Sequence, residues 1–391
     1  MASINTERLL RTFLELVGID SPSGQEAGVA AYCILALEEA GCIVGSAVSQ
    51  VVEGSDSGNV IASLPAFLPN NSDDESLPLY FSAHMDTIEP CRGIKPEIRE
   101  GVIYSDGTTV LGGDDKVGLA AIIEMVRSLA EGEANDEPHP EIRMLFTVRE
   151  EVGLMGAKAL GEQEFKDVQG ALCYVLDAAG EPGLIVNGAP YQHSYKARYQ
   201  GLAAHAGIAP ETGISAIRAA AQAVAALPQG RLDESSTTNI GTISGGTVNN
   251  VVSAECLVSG ELRSHDKERL LLLQAQIEGI LRTACLDDKT GAGAPQITVE
   301  WEVNYEGFYA PEDSPQVRLA ERAARRLGLE TRIEKGNGGA DTNILASYGL
   351  AAVSLGSGMD RVHSTDELLA IADLENLARL ALNIVKESGR E

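Results

Sequence analysis

The chain has 391 residues, too many for one ordinary hydrophobic core, so two domains are expected. Its 30 basic and 57 acidic residues leave a formal net charge of −27, which repels nucleic acid and anionic lipid and excludes both as partners. Hydrophobic residues at 44% and 41 glycines suit a folded α/β protein, and aromatics at 4% leave its core to Ala, Val, Leu and Ile.

The first residues, MASINTERLLRTF, place charges where a secretory leader needs an apolar run, and no stretch has the length and apolarity of a membrane span. The six cysteines (33, 42, 91, 173, 256 and 285) are scattered, without Cys-x-x-Cys spacing, in mostly apolar contexts. They read as buried free thiols, so a reducing, cytoplasmic setting is expected.

Residues 6–17 repeat apolar positions at helical spacing, and a second helix follows Ser-Pro-Ser-Gly, with Ser23 and Glu26 spaced as a capping box. It ends near Gly41, and strand material begins at Asn59. A polar loop at 70–76 precedes LYFSAHMDT (79–87), an apolar strand that delivers His84 and Asp86 at its polar end. Side chains two apart on a strand share a side, and a carboxylate beside an imidazole can hold one ring nitrogen while the other faces a metal. A hairpin around 98–107 leads into TTVLGGDDKVGLAAIIEMVRSLA, whose later half is an apolar helix. A phosphate loop is rejected there, because no Gly-Lys-Ser/Thr follows and two aspartates would face the phosphates. The strand 142–148 ends at Arg149-Glu150-Glu151, and the strand 171–176 ends at Asp177. Helices and strands alternating in this way predict a mostly parallel sheet with its site at the strands' carboxyl ends.

From about residue 190 the order becomes β-α-β-β-α-β, the ferredoxin-like unit, whose open sheet has free edges suited to dimerisation. From Ser314 helix and strand alternation resumes. The expected organisation is therefore a discontinuous α/β catalytic domain (1–189 and 308–391) with an inserted α+β lid and dimerisation domain (190–307).

His84, Asp114, Glu151, Asp177 and His363 are the candidate ligands. Two divalent ions sharing one carboxylate would each have one His, one further carboxylate and the bridge, leaving room for a water whose pKa they lower. Glu150 and Glu151 point opposite ways on an extended backbone, so Glu151 is assigned to metal and Glu150 to general base. His139, His193 and His265 read as surface residues.

The series His84-Met-Asp86, Gly-Gly-Asp114-Asp115-Lys116, Arg-Glu150-Glu151-Val-Gly, Asp177 and His363-Ser-Thr-Asp-Glu resembles the M20 metallopeptidases over nearly the whole chain. TVLGGDDK and Gly-Gly-Ala-Asp341 look most like the peptidase T branch, the tripeptide aminopeptidases. The resemblance implies two zinc ions (manganese or cobalt sometimes substituting), Asp114 as the bridge, Asp86 as orienter of His84, and a dimerising lid. It also implies an oxyanion-donor role for His205 in GLAAHAG, and substrate contacts from Asn250 and Arg263, with Asp341 a further substrate-binding candidate. The expected activity is removal of the N-terminal residue from short peptides. The alternatives are a carboxypeptidase or N-acyl-amino-acid amidohydrolase of the same chemistry, or a metal- or peptide-binding scaffold without turnover.

Overall fold

A computed structural model of the chain describes residues 3–45, 50–67, 76–131, 138–283 and 293–390. Helix α1 (Thr6–Val17) starts where Asn5 caps it, accepting the Arg8 N–H at 3.0 Å, and buries the stripe Leu9, Phe13, Leu16 and Val17. Helix α2 (Ala27–Glu39) follows, without the expected capping box. Glu26 is fully buried and accepts the Gly24 N–H at 2.6 Å and the Ser55 hydroxyl at 2.6 Å, while Ser23 donates to Asp86 at 2.7 Å. A capping signature thus serves a buried polar network.

Strands β1 (Ile43–Val44), β2 (Val60–Leu64) and β3 (Leu79–His84) come next, and all six residues of β3 are buried, as a strand covered on both faces requires. The hairpin β4 (Glu97–Arg99) and β5 (Val102–Tyr104) leads to α3 (Gly113–Glu131), which is buried on nearly every side and forms the centre of the core. Then follow β6 (Ile142–Thr147), α4 (Met155–Leu160), β7 (Leu172–Ala178) and β8 (Leu184–Ala189). The next stretch holds β9 (Tyr191–Gln200), α5 (Ala216–Ala226), β10 (Gly230–Arg231), β11 (Ser236–Gly245), β12 (Glu255–Ser264), α6 (Lys267–Thr283) and β13 (Gln296–Tyr305). The chain closes with β14 (Phe308–Tyr309), α7 (Pro315–Arg326), β15 (Arg332–Lys335), α8 (Asp341–Ser347), β16 (Ala351–Gly356), β17 (Met359–Asp360), β18 (Leu368–Ala370) and α9 (Ile371–Ser388).

Two compact units result. The first comprises 1–188, 309–336 and 340–391, and the second 189–308 with 337–339. In the first, the described residues form a nine-stranded sheet in the order β1-β2-β6-β3-β7-β16-β8-β14, with β15 also paired to β8. Its centre, β6-β3-β7-β16, is parallel, but β2 runs antiparallel to β6 and β8 antiparallel to β16, so the sheet is mixed. The parallel centre brings the carboxyl ends of β3, β6 and β7 to one edge. A small sheet, β17-β18-β5-β4, carries the segment beyond His363.

In the second unit five strands run in the order β10-β11-β12-β9-β13, every neighbouring pair antiparallel. Without the two-residue β10 this is the ferredoxin-like order. Helices α5 and α6 bury Ala219, Ala220, Ala223, Leu270, Leu273, Ile277 and Leu281 in the unit's own core. Among the described residues no helix is long and apolar enough to cross a membrane.

Candidate metal centre

Five backbone segments of the first unit carry the site. His84 ends β3 and lies opposite Thr147 of β6 in parallel register. Past Thr147 the backbone leaves the strand at Val148, and Arg149 takes a left-handed φ of 52°, so Glu150 and Glu151 lie on a turn and not on the extended chain expected of them. Asp177 lies near the end of β7. Asp114 heads α3 after a glycine turn in which Gly112 has φ +71°. His363, with φ 62°, projects from the loop before β18. Left-handed non-glycine residues persist where surroundings over-determine them, and two of them flank this site.

The five candidate ligands form two groups that share Asp114: His84, Asp114 and Asp177, and Asp114, Glu151 and His363. Within each group the ligand atoms lie within 4.8 Å of one another. His84 Nε2 is 2.9 Å from Asp114 Oδ1 and 3.9 Å from Asp177 Oδ1. His363 Nε2 is 3.2 Å from Asp114 Oδ2 and 3.0 Å from Glu151 Oε1. One oxygen of Asp114 therefore faces each histidine. Asp115 is engaged elsewhere: fully buried, it accepts the His84 N–H at 3.2 Å and the Gly118 N–H at 3.1 Å.

The other ring nitrogen of His84 lies 3.0 Å from the Asp86 backbone carbonyl and 3.5 Å from its carboxylate. Most of the Asp86 carboxylate is used differently. It accepts the Ser23 hydroxyl and the backbone N–H groups of Glu150 and Glu151, at 2.9 and 3.3 Å. Asp86 thus fixes the ring largely through its main chain and the glutamate turn through its side chain.

Burial works against a charge on His84, but its bonds to Asp114 and Asp86 prevail and hold its pKa well above the usual range. Hydrogen bonds to Asp114 and Glu151 push His363 up to about 10. Asp114 is driven below the usual carboxylate range, its burial outweighed by both histidines. Burial, reinforced by neighbouring carboxylates, raises Asp177 and Glu150 well above theirs. The pocket therefore holds more carboxylates than its histidines can neutralise. Three carboxylates and two imidazole nitrogens at this spacing are a fitting donor set for borderline divalent cations, whose charge would relieve the excess.

Glu150 is 9% exposed and, on this geometry, belongs to neither ligand group. Asp341, at the start of α8, is 2% exposed; Thr147 donates to its Oδ2, and its Oδ1 has no hydrogen-bond partner among the described residues. The remaining candidates belong to the second unit. His205 is exposed, and its Nδ1 accepts the Gly207 N–H at 3.2 Å, which in the neutral ring leaves the proton on Nε2. Asn250 is exposed, its carbonyl accepting the Ala206 N–H. Arg263, half-buried on β12, is held by both oxygens of Glu261 at 3.0 and 3.1 Å.

His139 and His193 are not surface residues: each is 7% exposed, His139 against the Pro140 carbonyl and His193 against Gln274. His139 packs by the Phe67 ring, and His193 lies opposite Leu262 and Val303 on the neighbouring strands. His265 is half-buried.

The profile of Peptidase family M20/M25/M40 matches residues 80–387. The chain belongs to that family. It is 35% identical over 387 residues to the uncharacterized protein YqjE of Bacillus subtilis, covering 99% of this chain and 100% of the relative. Among solved structures, aminopeptidase PepT from Bacillus cereus superposes with a TM-score of 0.86 at 37% identity, covering 98% of this chain and 99% of that one. A tripeptidase from Staphylococcus aureus superposes at 0.88 with 35% identity, covering 99% and 100%. The M20 peptidase described here is thus a peptide hydrolase of the peptidase T-like kind.

Proposed function

We propose that this M20 peptidase is a two-metal aminopeptidase that removes the N-terminal residue of short peptides, tripeptides foremost. The observation that carries this reading is Asp114, whose two oxygens face separate histidine-carboxylate groups. Its similarity to an aminopeptidase and a tripeptidase along nearly the whole chain supports the substrate class.

His84, Asp114 and Asp177 would hold one ion, and Asp114, Glu151 and His363 the other. Two divalent ions there, zinc in our reading with manganese or cobalt as substitutes, supply Lewis acidity to the scissile carbonyl and acidify the attacking water. Glu150, buried beside the cluster yet not a member of it, takes the water's proton and passes it to the leaving amine. Asp86 positions both His84 and the Glu150 turn. His205, whose Nδ1 accepts the Gly207 N–H, is the donor we assign to the carbonyl oxygen. We place Asn250, Arg263 and Asp341 in substrate recognition.

We further propose a cytoplasmic homodimer joined through the second unit. Among the described residues β13 lies at one edge of its sheet and β11 extends past β10 at the other, with Ile243 and Val303 exposed. Cys33, Cys42, Cys91, Cys173 and Cys256 are buried free thiols, which suits a reducing compartment, and Cys285 lies outside the described residues. Assaying the zinc-loaded protein against Ala-Ala-Ala, its N-acetylated copy and an N-acyl amino acid tests the reading. Cleavage of Ala-Ala-Ala alone is expected, and preference for either acylated substrate would overturn it.

A further inference from the structure

The loop that presents Asp114 is held by a residue outside both ligand groups. Glu367 is 2% exposed, and its Oε2 accepts the N–H groups of Leu111 at 2.7 Å and Gly112 at 2.9 Å. Its Oε1 accepts the N–H of Asp114 itself at 3.2 Å. Three donors from four consecutive residues thus converge on one carboxylate. They enclose it closely, because a Cβ added at Gly113 would lie 2.9 Å from Oε1.

The backbone of Glu367 is anchored in turn. Its N–H donates to the Ser364 carbonyl at 3.2 Å, and its carbonyl accepts the Ser105 N–H at 3.3 Å, where β18 joins β5. His363 lies four residues earlier on the same segment. One side chain therefore ties the segment carrying His363 to the loop carrying Asp114. A carboxylate that spans two ions must point correctly at both, and groups that orient ligands typically govern affinity by 10 to 100-fold.

We propose that Glu367 is a positioning residue for the shared carboxylate, setting Asp114 so that both ligand groups form together; this rests on the two-metal reading above. Glu367→Gln separates positioning from simple packing. Glutamine keeps the shape and can still accept from Leu111 and Gly112, but its amide then meets the Asp114 N–H donor to donor. Gly113→Ala tests the same contact from the opposite side, leaving Glu367 in place and pressing on Oε1.

The experiment is stepwise calorimetric titration of the metal-free full-length protein with zinc, for wild type, Glu367→Gln, Gly113→Ala and Asp114→Ala, with metal-free melting temperatures measured in parallel. Wild type should take up two equivalents and Asp114→Ala should lose both. Glu367→Gln and Gly113→Ala should weaken both steps by about 10 to 100-fold, with melting temperatures near wild type. If Glu367→Gln fails to fold, Gly113→Ala decides the matter alone. Wild-type zinc affinity in the folded variants overturns the proposal, whatever their melting temperatures. Failure of wild type to bind two equivalents, or retention of both by Asp114→Ala, instead overturns the two-metal reading beneath it.

Discussion

The carboxylate of Asp86 accepts the backbone N–H of Glu150 at 2.9 Å, so the residue whose backbone carbonyl holds the His84 ring also sets the turn that carries the proposed base. Asp86→Asn presents an amide group to those N–H donors and disturbs the turn more than the ring, which keeps its bond to the residue's backbone carbonyl. The turnover rate should fall by about 10 to 100-fold while zinc affinity changes less than tenfold. Steady-state kinetics alongside zinc titration measures both. A loss of metal that accounts for the whole loss of rate would show that Asp86 acts chiefly on His84.

Glu150→Gln should retain two metals and lose about 10² to 10⁴-fold in turnover, the usual range for a general base. Elemental analysis of the purified variant is the check. Departure of a metal together with the activity would make Glu150 a ligand.

Asp114 and Asp115 are neighbours with opposite surroundings, one facing two histidine rings and the other facing two backbone N–H groups. Asp114→Asn should impair both metal equivalents. Asp115→Asn should lower the melting temperature more than it weakens either binding step. The reverse pattern would transfer the shared role to Asp115.

His205 supplies the cross-subunit test. His205→Ala should bind both metals and lose about 10² to 10³-fold in turnover, the usual effect of removing one oxyanion donor. Co-expressing it with Glu150→Gln under different tags and purifying the mixed dimer should restore activity, because one of its sites has its own Glu150 and the partner subunit's His205. A mixed dimer as inactive as its parents would confine His205 to its own subunit or remove it from catalysis.

His139 makes a pH prediction remote from the metals. Burial lowers its folded-state pKa below the ordinary value of 6.5, only partly offset by the Pro140 carbonyl. Below that value the unfolded chain binds a proton that the folded chain resists, so stability falls on acidification until the folded site protonates too. His139→Phe should remove this term. The melting-temperature difference between wild type and variant should therefore shift against wild type between pH 7.5 and pH 5.5, and a constant difference would refute it.

What could be read from sequence was the chemistry borne by single residue types at strand ends. His84, Asp114, Glu151, Asp177 and His363 were nameable because imidazoles and carboxylates stand out against apolar strands, and the α/β class followed from alternating periodicity. The contacts that organise the site were not. Asp86 reaches Ser23 and the Glu150 turn across the fold, and Glu367 reaches Leu111 across more than half the chain, distances at which no spacing rule operates. The antiparallel flanks of the large sheet also escaped, because a buried strand's pattern carries no record of its direction. The burial of His139 and His193 escaped as well, because the groups beside them, Phe67 for one and Leu262 and Val303 for the other, are distant in the chain.

Strand β16 lies between β7 and β8 in the large sheet, although β7 and β8 are consecutive in the chain and β16 is translated after the entire second unit. During synthesis the gap between those two strands stays open until nearly the whole protein has left the ribosome. The nascent chain therefore carries two unsatisfied strand edges from the end of β8 until β16 is made, a slow, non-local closure of the kind that invites mispairing. His84, Asp114 and Asp177 all precede that gap in the chain, whereas His363 follows it. On the two-metal reading the first proposed ligand group is therefore synthesised before the second is complete, and a chain that stalls before residue 351 leaves an intermediate with an unfilled slot in its central sheet.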